Sequence, residues 1–304
     1  MPIPPELEQR AIAAYLGLAI GDALGATVEF MTPREILANI GIHKEITGGG
    51  WLRLPPGKVT DDTTMSLALG DALLEARGVD AATIARHFDN WMRSKPVDIG
   101  NTVRRGLLHF RNSGETTVPL NEHDAGNGAC MRCLPIALAT VGHDDSVVHR
   151  AVEAQAHITH NNPLSDAGTL CMVRLVQGAL GGASAVDLLN GPAHALIAAH
   201  PEFTFRGRKP SRNPSGYIVH TLRTVFEAFF DTDTFEDCLV QAVNRGGDAD
   251  TTGAIAGMLA GAYYGLEAIP KRWLKQLDAD ASGRCREQAV QLVRLAQSPE
   301  RCNA

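Results

Sequence analysis

The sequence predicts an all-α protein, built as a single compact orthogonal helical bundle. Apolar residues recur at the 3.6-residue period along most of the chain. Alternating β-branched runs are almost absent, and aromatic residues make up only 5%. No low-complexity linker or tandem repeat divides the chain, so its 304 residues read as one domain over 1–304.

The elements follow in order. Ile12, Tyr15, Leu16, Ala19, Ile20, Ala23 and Leu24 form one apolar stripe of a long first helix. Thr32-Pro33-Arg34-Glu35 carries a cap, a proline at the first helical position and a glutamate three residues after the cap, so a short helix starts there. Gly48-Gly49-Gly50 and Pro55-Pro56-Gly57 make 41–60 a loop. Met65, Ala68, Leu69, Ala72, Leu73 and Ala76 form a second stripe, stopped by Gly78. Further helices are expected near 81–94, 101–112, 128–141, 145–159, 163–181, 215–230, 235–243, 251–264 and 284–297. Gly17, Gly21 and Gly25 are spaced by four, as are Gly253, Gly257, Gly261 and Gly265. Each costs a helix about 1 kcal/mol against alanine, so tight packing of a neighbouring helix is the expected compensation.

Composition narrows the function. Lys plus Arg is 28 and Asp plus Glu is 34, a net charge of −6. With no basic run, nucleic-acid binding by phosphate neutralisation is not expected. Cys130, Cys133, Cys171, Cys238, Cys285 and Cys302 are sparse and sit mostly in apolar helical stretches, which reads as reduced thiols in a cytoplasmic protein. The N-terminus shows no basic stretch followed by an apolar core, so no signal peptide is expected. No stretch approaches the ~18 apolar residues of a transmembrane segment.

Two loop-to-helix junctions carry the chemistry: Thr60-Asp61-Asp62-Thr63, and Asp248-Ala249-Asp250-Thr251-Thr252 after Gly246-Gly247. Either alone reads first as an N-cap. Together they offer more than capping needs, since one cap takes one oxygen. Four carboxylates that meet cannot all stay ionised without a counter-ion. Oxygen donors without Cys or His suit a hard divalent cation, Mg²⁺ or Mn²⁺ rather than Zn²⁺.

These motifs, in this order, resemble the ADP-ribosylglycohydrolase family over nearly the whole chain. The resemblance runs from Gly21-Asp22-Ala23-Leu24-Gly25-Ala26 and Glu29 through the glycine-rich loop and Thr60-Asp61-Asp62-Thr63. It continues with Asp98-Ile99-Gly100-Asn101-Thr102 and Gly126-Asn127-Gly128, and ends at Gly246-Gly247-Asp248-Ala249-Asp250-Thr251. It implies an all-α fold with two divalent cations, Mn²⁺ or Mg²⁺, held by Thr60, Asp61, Asp62, Asp248, Asp250 and Thr251. It also implies that Glu29 is a metal ligand or a mobile gate. The implied reaction is hydrolysis of the N-glycosidic bond between ADP-ribose and a protein arginine. Chain length and Thr159-His160-Asn161-Asn162-Pro163 look most like the members from nitrogen-fixing bacteria. That narrower resemblance implies the nitrogenase iron protein as substrate, with a PII signalling protein and a membrane ammonium-channel complex as partners at the inner membrane.

The reaction gives the remaining residues work. An oxocarbenium-like transition state needs an activated water, and a metal lowers the pKa of water bound to it. A carboxylate away from the metals must handle the proton or the guanidinium, and Asp98 is the choice; read without the family, it serves equally as a cap for the helix from Asn101. Gly126-Asn127-Gly128 can turn N–H groups toward a pyrophosphate, although a plain turn is the commoner meaning. Asn101 and Thr102 can add donors. His160 and Tyr217 can flank ribose or adenine, though core packing explains either alone.

Two other enzyme signals and one other class compete. Cys130-x-x-Cys133 has no second pair and reads as buried thiols. His123-Asp124 and His143-Asp144 match the dipeptide of all-α metal phosphohydrolases, but both look like loop residues and leave Thr60-Asp61-Asp62 unused; His123-Asp124 is expected at the substrate entrance. A non-catalytic ADP-ribose-binding module would not need all six ligand positions intact.

Overall fold

Pro5 opens the first helix with its ring at a position where no N–H is needed, and the apolar stripe carries the helix to Gly25. This computed structural model describes residues 4–207, 209 and 212–297. In chain order the helices are α1 (Pro5–Gly25), α2 (Pro33–Asn39), α3 (Asp61–Ala76), α4 (Ala81–Arg93), α5 (Asn101–Ser113), α6 (Gly128–Met131), α7 (Leu134–Ala139) and α8 (Asp145–Ala156). They continue with α9 (Pro163–Leu180), α10 (Ala185–Leu188), α11 (His194–Ala199), α12 (Ile218–Phe230), α13 (Phe235–Val243), α14 (Ala249–Tyr264), α15 (Lys271–Gln276) and α16 (Ala279–Ala296). The described residues contain no strand, only isolated bridges between Gly49 and Leu54 and between Gly126 and Tyr217. The all-α expectation holds.

Helix starts follow local chemistry. The Thr32–Glu35 capping box forms in both directions: Glu35 N–H donates to Thr32 Oγ1 at 3.3 Å, and Thr32 N–H to Glu35 Oε2 at 2.7 Å. α3 stops at Ala76 because Arg77 takes the left-handed conformation one residue before Gly78. Several boundaries differ from the sequence reading. The stretch 128–141 is two short helices, broken at Arg132–Cys133 before Pro135, which has no N–H to continue a helix. α12 begins at Ile218 rather than 215, and α16 at Ala279 rather than 284, capped by Asp278. α10, α11 and the π turn Leu189–Ala193 between them went unread, as did α15.

The centre of the fold is the antiparallel pair α1 and α14. A Cβ built on Gly17 would lie 2.1 Å from Gly257 O, on Gly21 1.9 Å from Gly253 O, and on Gly25 2.2 Å from Ala249 O. The two backbones therefore touch, and the four-residue glycine spacing is explained by close approach. Gly265 takes no part; it ends α14 with positive φ. The consequence for function is directional. Antiparallel pairing brings the C-terminal end of α1, and Glu29 after it, to the N-terminal end of α14, where Asp248 and Asp250 begin. Around this pair one apolar cluster runs from Ala11 to Val293. Cys130, Cys133, Cys171, Cys238 and Cys285 are free and buried in it, and Cys302 lies outside the described residues. Burial pushes the thiols of Cys171, Cys238 and Cys285 up to about 12, so they stay protonated and inert.

Candidate active site

Neither acidic junction uses its cap side chain to cap. Thr60 stands at the N-cap of α3 and Asp248 at that of α14, and neither side chain accepts a capping hydrogen bond. Thr60 Oγ1 instead donates to Asp62 Oδ2 at 3.1 Å, and Thr251 Oγ1 donates to the same oxygen at 3.3 Å. The two motifs, far apart in sequence, thus meet on one carboxylate. Its other oxygen, Asp62 Oδ1, is buried without a hydrogen-bond partner.

Asp22 sets the first motif, a role the sequence reading did not give it. From α1 its carboxylate accepts Thr60 N–H at 2.9 and 3.0 Å, Thr63 N–H at 3.1 Å and the Thr63 hydroxyl at 2.5 Å. A carboxylate on the α1 stripe was the available signal, since nothing else on that buried face is charged. Burial raises Asp22 to about 6 against the pull of those hydrogen bonds. The second motif is set by backbone. Gly246 and Gly247 both have positive φ, and side chains there would strike Met31 O and Pro214 O. Gly247 N–H donates to Met31 O at 2.9 Å and Phe30 N–H to Gly247 O at 2.7 Å, which fixes Glu29 beside Asp248 and Asp250.

These groups line a cleft of about 530 Å³. Asp61, Asp248, Asp250 and Thr251 form its floor with Glu29 and Asp98, while Thr60 and Asp62 lie buried behind it. Glu29, Asp98 and Asp250 each offer an oxygen within 4.8 Å of the others. No lysine or arginine lines the cleft among the described residues. Burial, with neighbouring acids adding to it, raises Asp61 to about 7 and holds Asp62 and Asp250 well above the usual carboxylate range. Burial raises Glu29 to about 8, opposed by Trp51 Nε1, which donates to Glu29 Oε2 at 2.5 Å. Burial also raises Asp248. An oxygen-only donor set, an unpartnered buried carboxylate oxygen and this shared reluctance to ionise fit divalent cations.

The remaining predicted residues divide. Asp98 caps no helix: Gly100 is the N-cap of α5, and Asp98 Oδ1 accepts only the adjacent Ile99 N–H at 2.8 Å. Asn101, Thr102, Gly126, Asn127, Gly128 and His160 all line the cleft. Asn127 spends its amide internally, donating to Asp248 Oδ2 at 2.6 Å and Thr221 Oγ1 at 2.9 Å, so it ties the turn to the second motif. Thr102 Oγ1 donates to Asp124 Oδ2 at 3.0 Å. Tyr217 is neither core nor cleft lining. It is exposed, pairs edge-on with His220, and lends only its backbone to the bridge with Gly126. Asp124 borders the cleft, while His123 is exposed beside it. His143 bonds Ala296 O far along the chain, and Asp144 is the N-cap of α8, so the phosphohydrolase reading finds no site there.

Comparison with known proteins finds relatives over nearly the whole chain. The family model described as ADP-ribosylglycohydrolase matches residues 3–303. The ADP-ribosyl-[dinitrogen reductase] glycohydrolase of Rhodospirillum rubrum is 52% identical, covering 96% of this chain and 98% of that protein. The ADP-ribosylarginine hydrolase Tri1 of Serratia proteamaculans is 32% identical, covering 90% and 77%. A solved structure described as an ADP-ribosylglycohydrolase-related protein complex superposes with a TM-score of 0.85 at 36% identity, covering 96% of this chain and all of that one.

Proposed function

Because the chain belongs to the ADP-ribosylglycohydrolase family, we propose that it removes ADP-ribose from a modified protein arginine by cleaving the N-glycosidic bond. The observation that carries this is the floor of the cleft, where two motifs converge on Asp62 and, among the described residues, no lysine or arginine lines the cavity. Thr60, Asp61, Asp62, Asp248, Asp250 and Thr251 would hold two divalent cations, Mn²⁺ or Mg²⁺, with Glu29 as a further ligand or gate. Bound cations supply an activated water and a hold on ribose hydroxyls.

The chain's own residues do the rest. Asp98 keeps one carboxylate oxygen open at the cleft and faces the substrate guanidinium, whose departing nitrogen must gain a proton. Trp51 orients Glu29 through Oε2. Gly126 and Gly128 let the pyrophosphate approach backbone, and Asn101 and Thr102 offer polar groups beside it. The 52% identity to the R. rubrum protein supports ADP-ribosylated nitrogenase iron protein as the substrate. A PII signalling protein and an ammonium-channel complex are the partners that the resemblance to this subgroup implies, and recruitment through them would bring the protein to the membrane. No helix among the described residues is long and apolar enough to cross one.

The test is release of ADP-ribose from arginine-modified protein after chelation and after Mn²⁺ addition. Release that depends on the cation and disappears in Asp250→Ala is expected. ADP-ribose binding with no release under any cation would overturn the catalytic reading.

A further inference from the structure

Arg132 is fully buried and donates to no carboxylate among the described residues, although the Asp61 carboxylate lies near enough to act on its charge. Its guanidinium sits 4.5 Å over the Phe88 ring and donates to Gln155 Oε1, Gln155 O and Thr159 Oγ1, each at 2.8 Å. A buried cation without a directly paired counter-ion is costly, and burial lowers Arg132 to about 9 despite Asp61, so it calls for a reason beyond packing. The last of those bonds leads to the cleft. Thr159 Oγ1 lies 2.7 Å from His160 Nδ1, and His160 packs against the Gly126-Asn127-Gly128 wall. A Cβ on Gly126 would be 3.0 Å from His160 Nε2, and one on Gly128 2.7 Å from Cε1.

The hydrogen bonds favour one tautomer. Arginine only donates, so Thr159 Oγ1 accepts from it. Among the described residues, His160 Nδ1 is the other partner of that hydroxyl. With Nδ1 as acceptor the threonine proton is used and the ring proton resides on Nε2; with Nδ1 as donor the hydroxyl proton is stranded in a buried site. Nε2 has no hydrogen-bond partner among the described residues, although the side chain is 97% buried and lines the cleft. Burial and the charges of Arg132 and Arg105 also keep the ring neutral, at about 3.

We propose that Arg132 and Thr159 act as positioning residues that lock His160 in its Nε2–H form, a standing neutral donor for an oxygen of the ligand's anionic portion. This rests on reading the cleft as an ADP-ribose site. It divides the cleft into two chemistries. Carboxylates at the floor take cations and the guanidinium, while the Gly126–Gly128 wall presents a donor that holds no proton acceptor toward the ligand. A ring with the opposite tautomer would turn a lone pair toward the phosphate oxygens and repel them.

The experiment is long-range ¹H–¹⁵N correlation of the histidine-labelled protein, read with and without ADP-ribose, beside Thr159→Val and Thr159→Ser. In the unaltered protein we expect His160 as a single Nε2–H tautomer, with that proton shifting on ADP-ribose addition. Thr159→Val should mix the tautomers and weaken ADP-ribose binding about tenfold, the scale of one hydrogen bond to a charged group. The loss should fall on Kd and KM rather than kcat, and Thr159→Ser should restore both tautomer and affinity. An Nδ1–H ring in the unaltered protein, or unchanged affinity in a folded Thr159→Val, overturns the relay. Failure of the unaltered protein to bind ADP-ribose while the ring is Nε2–H overturns the reading of the cleft and leaves the relay standing.

Discussion

Asp61→Asn separates a functional carboxylate from a structural one. Raising Asp61 from 3.8 to about 7 makes its ionisation in the metal-free folded protein cost up to about 4 kcal/mol, at 1.36 kcal/mol for each pH unit. The direction is fixed. Below pH ~4 the carboxyl is protonated folded or unfolded and costs nothing. Between pH ~4 and ~7 the unfolded chain gives up the proton first, so the folded state loses stability. Above pH ~7 the whole cost is present. Asparagine keeps the shape and cannot ionise. In chelator at pH 8 the variant should therefore be more stable than the parent by up to about 4 kcal/mol, on the order of 5–10 °C in Tm. At pH 5 the gap should shrink below about 2 kcal/mol. Added Mn²⁺ should narrow the gap, because the parent gains about 2.7 kcal/mol at a hundredfold excess over Kd and the variant gains less. Thermal unfolding at two pH values, in chelator and in Mn²⁺, reads all four states. An Asp61→Asn protein that is less stable than the parent in chelator at pH 8 would refute the argument, since the carboxylate would then be holding the fold.

Asp22→Ala removes the acceptor for Thr60 N–H, Thr63 N–H and the Thr63 hydroxyl in a fully buried position. At about 1–3 kcal/mol for each of the three stranded donors, a loss on the order of 3–9 kcal/mol is expected in denaturant unfolding, and a loss under about 1 kcal/mol would show that the turn holds itself. Asp98→Asn should keep the bound cations and the affinity for free ADP-ribose while turnover falls about 10²–10⁴-fold; metal analysis on the same preparation decides, because lost metal would move Asp98 into the coordination shell beside Glu29 and Asp250. Chelation at pH 8 should lower Tm and abolish release together, with Mn²⁺ restoring both; activity that survives exhaustive chelation would end the metal reading.

What the sequence showed, and what it hid, follows from the range of the forces involved. The α1 stripe and the Thr32–Glu35 box are local, written in residues three or four apart, and both appear as read. The glycine ladders were visible, but their partner was not: only the fold shows that Gly17, Gly21 and Gly25 face Gly257, Gly253 and Ala249 in antiparallel order. The missed π turn and α15 have no long apolar period, and Pro192 lies inside the former. Residue type revealed the acids as a group, while their work depended on contacts across the chain. Asp98 reads equally as cap or as site until Gly100 is seen to hold the N-cap position. Asn127 reads as a ligand donor until its amide is found on Asp248 and Thr221. Asp22 was passed over because a lone carboxylate on an apolar stripe has no local pattern; its meaning lies in two N–H groups 38 and 41 residues away. The same logic explains why these residues are costly to change singly. Asp22 holds the first junction, Gly247 and Met31 hold the second, and Asp62 joins them, so the site is as rigid as the α1–α14 contact beneath it. A chain that places its charged floor on a close backbone contact trades stability for fixed geometry, and bound cations return part of that stability.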